Sequence, residues 1–307
     1  MFSRMSVMIF ILILNNITAQ IQMPSSGRID LYQNFKSAFV TGRNIEVWLP
    51  DGYSNSKKYA VLYMHDGQML FDSTTTWNKQ SWEIDDASAQ LMKKGDVKDF
   101  IVVGIWNGGE TRHSDYFPQK PFEKLTPEQK DTVIKQLQKA GRTKETFKPN
   151  SENYLRFIVK ELKPFIDSTY SVYKDKAHTF IMGSSMGGLI SMYALTQYPE
   201  IFGGAACLST HWTGTFQIEN NPMPRAFALY LEESLNKLDG NKIYFDHGDK
   251  TLDSLYAAPQ KMIDEVMSGY PKQLWESLYF KGKDHSEKSW KERVHIPLLF
   301  LFGKENK

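Results

Sequence analysis

One stretch of the chain, "HTFIMGSSMGGLISMYALTQYP" from His178 to Pro199, constrains the fold more than any other. Its first part is a short apolar run of β-forming residues, which predicts a buried strand. Its last part repeats apolar residues at helical spacing and stops at a proline, which predicts a helix. Because few residues separate the two parts, the segment predicts a strand, a very tight turn and a helix.

The turn itself carries two glycines, Gly183 and Gly187, which bracket Ser185 in the spacing G-x-S-x-G. A strained, crowded turn needs positions that have no Cβ atom, and glycine supplies them. The pattern is typical of a nucleophile elbow, in which the central serine is exposed at the edge of a sheet. The alternative is a serine-capped helix start with glycines for close packing. We favour Ser185 as a nucleophile and Ser184 as a small spacer.

The rest of the chain alternates strand-like and helix-like segments. Apolar runs such as "YAVLYMHDG", "FIVVGIWNGG" and "KIYFDHG" predict buried strands, and helical patterns separate them. This order predicts an α/β fold with a mainly parallel sheet and helices on both faces. Functional sites of such sheets form at the carboxyl ends of the strands. The 37 basic and 35 acidic residues form no basic stripe, which argues against nucleic-acid binding.

Residues 120–150 interrupt the alternation with a polar segment that has a helix-forming centre, "PEQKDTVIKQLQKA". It lies between the end of one predicted strand and the next core helix. We interpret it as a helical insertion near the active-site edge, either a lid or a solvated insertion without a role.

The N-terminal residues 1–19 have the layout of a secretory signal peptide. Arg4 precedes an apolar run, and small and polar residues end at Ala19, the predicted cleavage site. The run is too short to span a bilayer, so no stable membrane insertion is expected after cleavage, although a single N-terminal anchor is the alternative. Residues 20–307 are then one exported domain, periplasmic or extracellular. Cys207 is the only cysteine, so no internal disulfide is expected.

A serine nucleophile requires a base, which is usually histidine. In α/β-hydrolases the acid and then the histidine follow the serine along the chain. His285, in the polar turn "FKGKDHSEKSW" after the last predicted strand, fits best. His211 follows too soon to leave room for an acid, and the acids come after His247. His295 lies in an apolar terminal helix, where we expect a core residue.

The acid is expected in the loop "HGDKTLDSL", which follows a predicted strand. Its function would be to accept a hydrogen bond from the histidine and to fix the tautomer. Asp253 and Asp249 both fit; we favour Asp253, and Asp246 lies within the strand.

An oxyanion formed on Ser185 would need two N–H donors. The first is the backbone of Met186, directly after the nucleophile. The second comes from the loop "HDGQMLFD", where the backbone of Gln68 is the candidate. The alternative is that Asp66 and Gly67 simply form a good turn.

The segments "HDGQMLF", "GSSMGG", "GDKTLDSLY" and "GKDHSEKSW", in this order, resemble the esterase family of α/β-hydrolases. That family includes feruloyl, acetylxylan and enterochelin esterases, S-formylglutathione hydrolase and mycolyltransferases. The resemblance runs from about Ile29 to Phe302. It implies the α/β-hydrolase fold, with the nucleophile at Ser185, the acid at Asp253 and the base at His285.

The stretch "NGGETRHSDYFP" resembles the family segment beside the substrate pocket. The resemblance therefore implies substrate contacts at Arg112 and Tyr116. Trp77, Trp82 and Trp212 are further candidates for pocket walls, with burial in the core as the alternative.

These observations predict a serine esterase that acts on a small-molecule or polysaccharide-linked ester, most closely of the feruloyl or acetylxylan type. The alternatives are a siderophore esterase of the enterochelin type, which would want a basic pocket, an acyltransferase, or a non-catalytic binding module. The chain has neither metal-ligand spacing such as H-E-x-x-H nor a glycine-rich phosphate loop, so no metal and no cofactor are predicted.

Overall fold

A mixed β-sheet forms the centre of the protein in the computed structural model, which describes residues 22–304. The predicted signal peptide lies outside the described residues. Within them, the strands of the sheet are β1 (Arg28–Phe35), β2 (Arg43–Leu49), β3 (Ala60–His65), β4 (Phe100–Ile105), β5 (Thr179–Ser184), β6 (Gly204–Leu208), β7 (Lys242–His247) and β8 (Trp275–Tyr279).

The strands lie in the order β1-β2-β4-β3-β5-β6-β7-β8. β2 pairs antiparallel with both β1 and β4. Every other pair in the sheet is parallel, from β4 and β3 through to β7 and β8. The carboxyl ends of six strands therefore meet at one edge, and the predicted mainly parallel sheet is confirmed.

Helices connect these strands. They are α1 (Ile84–Lys94), α2 (Arg112–Tyr116), α3 (Gln119–Glu123), α4 (Pro127–Lys139), α5 (Ser151–Phe157), α6 (Lys163–Thr169), α7 (Met186–Gln197), α8 (Met223–Ser234), α9 (Ala257–Met267), α10 (Glu287–Lys291) and α11 (His295–Phe302). A π-helical turn, Ile158–Leu162, joins α5 to α6. In the part of the chain described, no helix is long and apolar enough to cross a bilayer.

Both faces of the sheet are covered, because successive side chains of a strand point to opposite faces. Tyr63 of β3 belongs to a core cluster that includes residues of α2 to α9. Its neighbour Met64 belongs to a second cluster, which includes residues of α1, α10 and α11. The predicted α/β architecture, with helices on both faces, is therefore confirmed.

The junction between β5 and α7 is the most closely packed part of the fold. A Cβ atom on Gly183 would lie 2.8 Å from the carbonyl carbon of Gly187, a distance that real Cβ atoms do not tolerate. Ser185, between them, has φ 57° and ψ −123°, a conformation that non-glycine residues rarely adopt. The sharp turn thus exists because two backbones can touch where glycine carries no side chain.

The segment 120–150 contains α4, which begins with a capping box at Thr126. Val133 and Leu137 of this helix are fully buried in the core, so it is not a solvated helix. Gln136 also bonds Thr215 on the neighbouring loop, with 2.9 Å between their side-chain oxygens. The predicted helical insertion is therefore present, and its helix is anchored to the domain.

One histidine lies elsewhere than expected. His295 begins α11, and its side chain is exposed, whereas Leu298 and Leu301 carry the buried face of that helix. The prediction of a core histidine was wrong because the apolar pattern does not place this first position on the inner face.

The contact between the two glycines predicts a large effect of a single methyl group. Replacing Gly183→Ala should lower the free energy of unfolding by about 1–3 kcal/mol, because the new Cβ would overlap the Gly187 backbone. Gly269→Ala is the matched control, since its Cβ would lie 3.5 Å from the nearest atom. Urea denaturation measures both changes, and equal stability of the two variants would contradict this account.

Candidate active site

The backbone around Ser185 is held from three sides. Its N–H donates to the Leu208 carbonyl at the end of β6, 2.9 Å away. Its carbonyl accepts from Leu189 in α7 at 3.1 Å and from His211 at 3.2 Å. The strained conformation of Ser185 is therefore over-determined by its surroundings, as is common at functional sites.

Asp253 and His285, from two different loops, form a close hydrogen-bonded pair. Asp253 lies in a 3₁₀ turn, Thr251–Leu255, after β7, and His285 lies between β8 and α10. The Asp253 Oδ1 atom is 2.6 Å from His285 Nδ1. This contact places the ring proton at Nδ1 and leaves Nε2 with a lone pair that can accept a proton.

The carboxylate of Asp253 is fully buried but well satisfied. Its Oδ2 atom accepts from the Ser209 hydroxyl at 2.7 Å and from the Gly248 N–H at 2.6 Å. Burial raises the pKa of Asp253, but the hydrogen bonds from His285, Ser209 and Gly248 outweigh it and lower the pKa below its ordinary value. The group is therefore an anion at neutral pH.

The two other acidic candidates do not reach His285. Asp249 accepts from the Tyr279 hydroxyl at 2.7 Å and from the Gly282 N–H at 2.8 Å in a surface turn. Asp246 is buried and accepts two hydrogen bonds from the Arg293 guanidinium, each 3.0 Å long. The structure therefore brings Asp253, and neither alternative, to the histidine.

A second layer of side chains supports Asp253, and sequence reasoning did not identify it. The Ser209 hydroxyl, which donates to Asp253, accepts from Trp290 Nε1 at 2.9 Å and from Arg293 Nη2 at 3.0 Å. These residues come from a loop after β6, from α10 and from the segment after it. No local pattern in the sequence could have linked them.

Ser185 and His285 line the same cavity, which has a volume of about 1160 Å³. Within residues 22–304 no direct hydrogen bond joins their side chains, and His285 is bonded through Nδ1 to Asp253. Catalytic hydrogen bonds are often long in a free enzyme and shorten when substrate binds. Tyr256 is another residue that sequence reasoning missed. It is fully buried, and its hydroxyl oxygen is 2.7 Å from His211 Nδ1.

The two candidate oxyanion donors open onto this cavity. Gln68 and Met186 both line it, and neither backbone N–H has a hydrogen-bond partner among the described residues. A Cβ atom on Gly187 would lie 3.4 Å from the His65 Cβ and 3.6 Å from Asp66, so the start of α7 packs against the loop that carries Gln68. Free amides at this junction are suited to an anionic oxygen.

Asp66 organises the loop that carries Gln68. Its carboxylate forms two hydrogen bonds with Arg112, each 2.7 Å long, and one of 2.7 Å with Asn107. The Asn107 N–H donates in turn to Gln68 Oε1 at 3.2 Å, and the Asp66 N–H donates to Tyr116. Burial raises the pKa of Asp66, but the Arg112 charge outweighs it and the pKa is lowered. An ionised Asp66 can therefore hold the loop at neutral pH.

The predicted substrate contacts divide into two groups. Trp77, Trp82 and Arg112 line the cavity; the Trp77 side chain is 85 % exposed, and Trp82 stacks on Trp290 with ring centroids 5.3 Å apart. Tyr116 does not line it.

Tyr116 and Trp212 instead lie in the core, where no substrate reaches them. Tyr116 is fully buried beneath Arg112, whose guanidinium is 5.1 Å from its ring centroid. Trp212 is 1 % exposed, and its Nε1 donates to Gln260 Oε1 at 2.7 Å. For these two residues the structure corrects the expectation, because their neighbours in the sequence are at the cavity but their own rings point into the core.

Neither a metal site nor a reactive thiol was found in the described part of the chain. Residues 22–304 hold no group of three or more His, Cys, Asp or Glu side chains that could bind a metal ion. Cys207 is fully buried in β6, and burial raises the pKa of its thiol. Deprotonation of this cysteine is therefore disfavoured.

Comparison with known families gives a direct match. Residues 37–296 match the family model described as "Putative esterase". The chain belongs to this family. The matched residues include the segments that carry Ser185, Asp253 and His285.

Two curated relatives are similar in sequence to parts of this chain. The chain is 29 % identical over 167 residues to the ferri-bacillibactin esterase BesA of Bacillus subtilis (strain 168), a match that covers 52 % of this chain and 50 % of BesA. It is 26 % identical over 270 residues to an endo-1,4-beta-xylanase/feruloyl esterase of Xylanibacter ruminicola, which covers 83 % of this chain and 29 % of that protein. The chain thus spans half or less of the length of these two relatives.

Among solved structures, a ferulic acid esterase superposes with a TM-score of 0.62. The superposition covers 90 % of this chain and 98 % of that one at 18 % sequence identity. At this identity the likeness shows a shared fold, which is that of the α/β-hydrolase esterases.

The hydrogen bond between Asp253 and His285 distinguishes the two acid candidates of this esterase-family chain. Asp253→Asn should lower kcat for an activated aryl ester on the order of 10³–10⁴-fold, because the amide favours the wrong histidine tautomer. Asp249→Asn, at the surface, should change kcat by about two-fold or less. Steady-state kinetics of both purified variants test this, and a larger loss at Asp249 would reverse the assignment.

Proposed function

We propose that this protein is a serine esterase that hydrolyses carboxylic esters through an acyl-enzyme. One observation carries the proposal: His285, which is hydrogen-bonded to the buried Asp253, lines the same cavity as Ser185 on its strained turn, beside two unpartnered backbone amides. A nucleophile, a base with its orienting acid, and oxyanion donors are the parts that acyl transfer requires.

In the first half-reaction, Ser185 Oγ attacks the ester carbonyl carbon, and His285 Nε2 takes the hydroxyl proton. The negative oxygen of the tetrahedral intermediate accepts hydrogen bonds from the Gln68 and Met186 amides. The bond to the alcohol then breaks, and His285 returns its proton to the leaving alcohol oxygen. In the second half-reaction, water replaces the alcohol and releases the acid and free Ser185.

The cavity suits an uncharged ester of a carbohydrate better than a highly charged ligand. Its lining includes four acidic side chains and three basic ones, and the charge of Arg112 is offset by Asp66. Burial lowers the pKa of His113 to about 3 and that of His211 well below its ordinary value, so both are neutral. The exposed ring of Trp77 at the rim offers a flat apolar surface for a sugar. A feruloyl or acetylxylan type of activity agrees with these features.

A siderophore esterase is the second candidate, because one relative is described as a ferri-bacillibactin esterase. Such a substrate carries negative charge and calls for a basic pocket. Arg142 and Lys144 line the cavity, but Glu110, Glu145 and Glu287 line it as well. The balance of charge therefore favours the carbohydrate ester. An acyltransferase would use the same acyl-enzyme and differ only in the acceptor.

We further propose that the protein is exported after removal of residues 1–19. This rests on the basic, apolar and small-residue order of that segment, which lies outside the described residues. Mass spectrometry of the mature N-terminus would identify Gln20 as the first residue.

The two adjacent serines provide the direct test of the proposed nucleophile. Ser185→Ala should lower hydrolysis of an aryl acetate by roughly 10⁴-fold or more, whereas Ser184→Ala should leave most of it. The wild-type protein should then be compared on acetyl, feruloyl and catecholate-siderophore esters, with Ser185→Ala as the blank. Loss of activity in Ser184→Ala alone would refute the assignment, and fastest turnover of the siderophore ester would favour the second candidate.

We propose that the lid is not the whole of residues 120–150 but the shorter segment 141–146. Residues 141–146 line the cavity, and the Arg142 guanidinium lies 4.8 Å from the ring centroid of Phe216 on the opposite loop. Replacing 141–146 by a short Gly-Ser turn leaves α4 and its buried residues in place. The ratio of kcat/KM for feruloyl over acetyl esters should change several-fold, because part of the wall around a bulky acyl group is lost. An unchanged ratio would show that the loop is not a lid.

A further inference from the structure

Gln22, the first residue that the structure describes, is buried beneath the loop that carries Gln68. Its side chain is 1 % exposed. The Gln22 Nε2 atom donates to the Gly67 carbonyl at 2.8 Å. Its Oε1 atom accepts from the Phe71 N–H at 3.0 Å and from the Asp72 N–H at 3.2 Å. One side chain thus bonds the backbone on both sides of Gln68.

The bond to Gly67 has a specific consequence. The Gly67 carbonyl and the Gln68 N–H belong to the same peptide group, which is planar and trans. In such a group the C=O and the N–H point in opposite directions. Because Gln22 holds the carbonyl on the inner side of the loop, the Gln68 N–H is held on the other side. That N–H is the unpartnered candidate donor to the oxyanion.

Gln22 is itself fixed in place by buried groups. It donates to the Glu46 carboxylate, which also accepts from Trp106 Nε1 at 2.9 Å. The residues that follow are attached to the domain as well. The Met23 N–H donates to Asp72 at 3.2 Å, and Ser25 donates to Asp85 through its N–H at 2.7 Å.

The loop would be less determined without this side chain. A Cβ atom on Gly67 would lie 2.7 Å from the Gly104 backbone, so the loop approaches β4 closely and needs glycine there. Asp66, just before it, has a left-handed backbone, with φ 57° and ψ 46°. A glycine beside a left-handed residue has more than one accessible peptide orientation. Two hydrogen bonds to the Gly67 carbonyl hold one of them, from Gln22 at 2.8 Å and from the Leu70 N–H at 3.3 Å, and the Gln22 bond is the shorter.

We propose that Gln22 is a positioning residue that orients the Gln68 peptide group for oxyanion stabilisation. The proposal rests on the proposed esterase function, since it assigns Gln22 to the Gln68 donor of that site. It adds that the segment just before β1, outside the cavity lining, determines how well the transition state is bound.

The test replaces Gln22→Met, which keeps the size of the side chain but removes its hydrogen bonds. With an aryl acetate, kcat should fall about ten- to a hundred-fold with KM nearly unchanged, because misorienting one oxyanion donor affects the transition state and not substrate binding. Affinity for an alkyl boronic acid, whose adduct on Ser185 mimics the tetrahedral intermediate, should fall by a similar factor. Met23→Ala, whose 72 % exposed side chain belongs to the same segment, is the control and should match the wild type.

The outcomes separate the alternatives. A Gln22→Met variant with a lower melting temperature but wild-type kcat and boronate affinity would make Gln22 purely structural and overturn the proposal. If this variant does not fold by circular dichroism, Gln22→Asn, which is shorter by one methylene, should show the same loss of kcat and boronate affinity. A wild-type protein that neither hydrolyses esters nor binds the boronic acid would instead contradict the proposed function itself.

Discussion

The contact between the backbones of β5 and α7 is the constraint on which the active-site region depends. Gly183 and Gly187 approach so closely that a methyl group on Gly183 cannot be accommodated. The turn between them is therefore forced into the conformation that holds Ser185 above the sheet edge. The Ser185 N–H donates to the Leu208 carbonyl and the Ser185 carbonyl accepts from the His211 N–H, which connects the same turn to β6 and its loop. A rigid turn of this kind lets the chain position a hydroxyl without using a flexible loop.

Around this turn, buried polar groups form two supports with different purposes. On one side, Arg293 bonds both Asp246 and Ser209, and Ser209 bonds Asp253. A buried ion pair gives little net stability, because removing charges from water costs free energy. The effect of the Arg293–Asp246 pair here is geometric. It holds Ser209, which in turn holds the Asp253 carboxylate against His285.

On the other side, Asp66, Arg112, Asn107 and Gln22 hold the loop of Gln68. Each of these groups bonds backbone or side chains on that loop. The two supports also touch, because Trp290 stacks on Trp82, whose backbone N–H donates to the Met69 carbonyl beside Gln68. Such preorganisation spares the reaction the cost of reorienting dipoles when charge develops.

Much of this arrangement could be predicted from the sequence, because its signals are local. Periodicity identified β5, α7 and the alternation of strands and helices, and the order of the motifs placed Asp253 and His285 in loops at one edge of the sheet. Predictions failed where the outcome depended on the direction in which a side chain points. Tyr116 and Trp212 lie in segments beside the cavity, but their rings are in the core, and the apolar pattern around His295 misplaced it.

The amino-acid sequence suffices to predict the fold class, the sharp turn at Ser185 and the chain order of the candidate residues, since each follows from spacing over a few residues. The folded chain is needed to establish which aspartate meets His285, which tryptophans line the cavity, and that Gln22 reaches the Gly67 carbonyl from 45 positions away. The physical reason is that hydrogen bonds and burial depend on distances in space. Those distances arise only when the sheet brings remote loops to one edge.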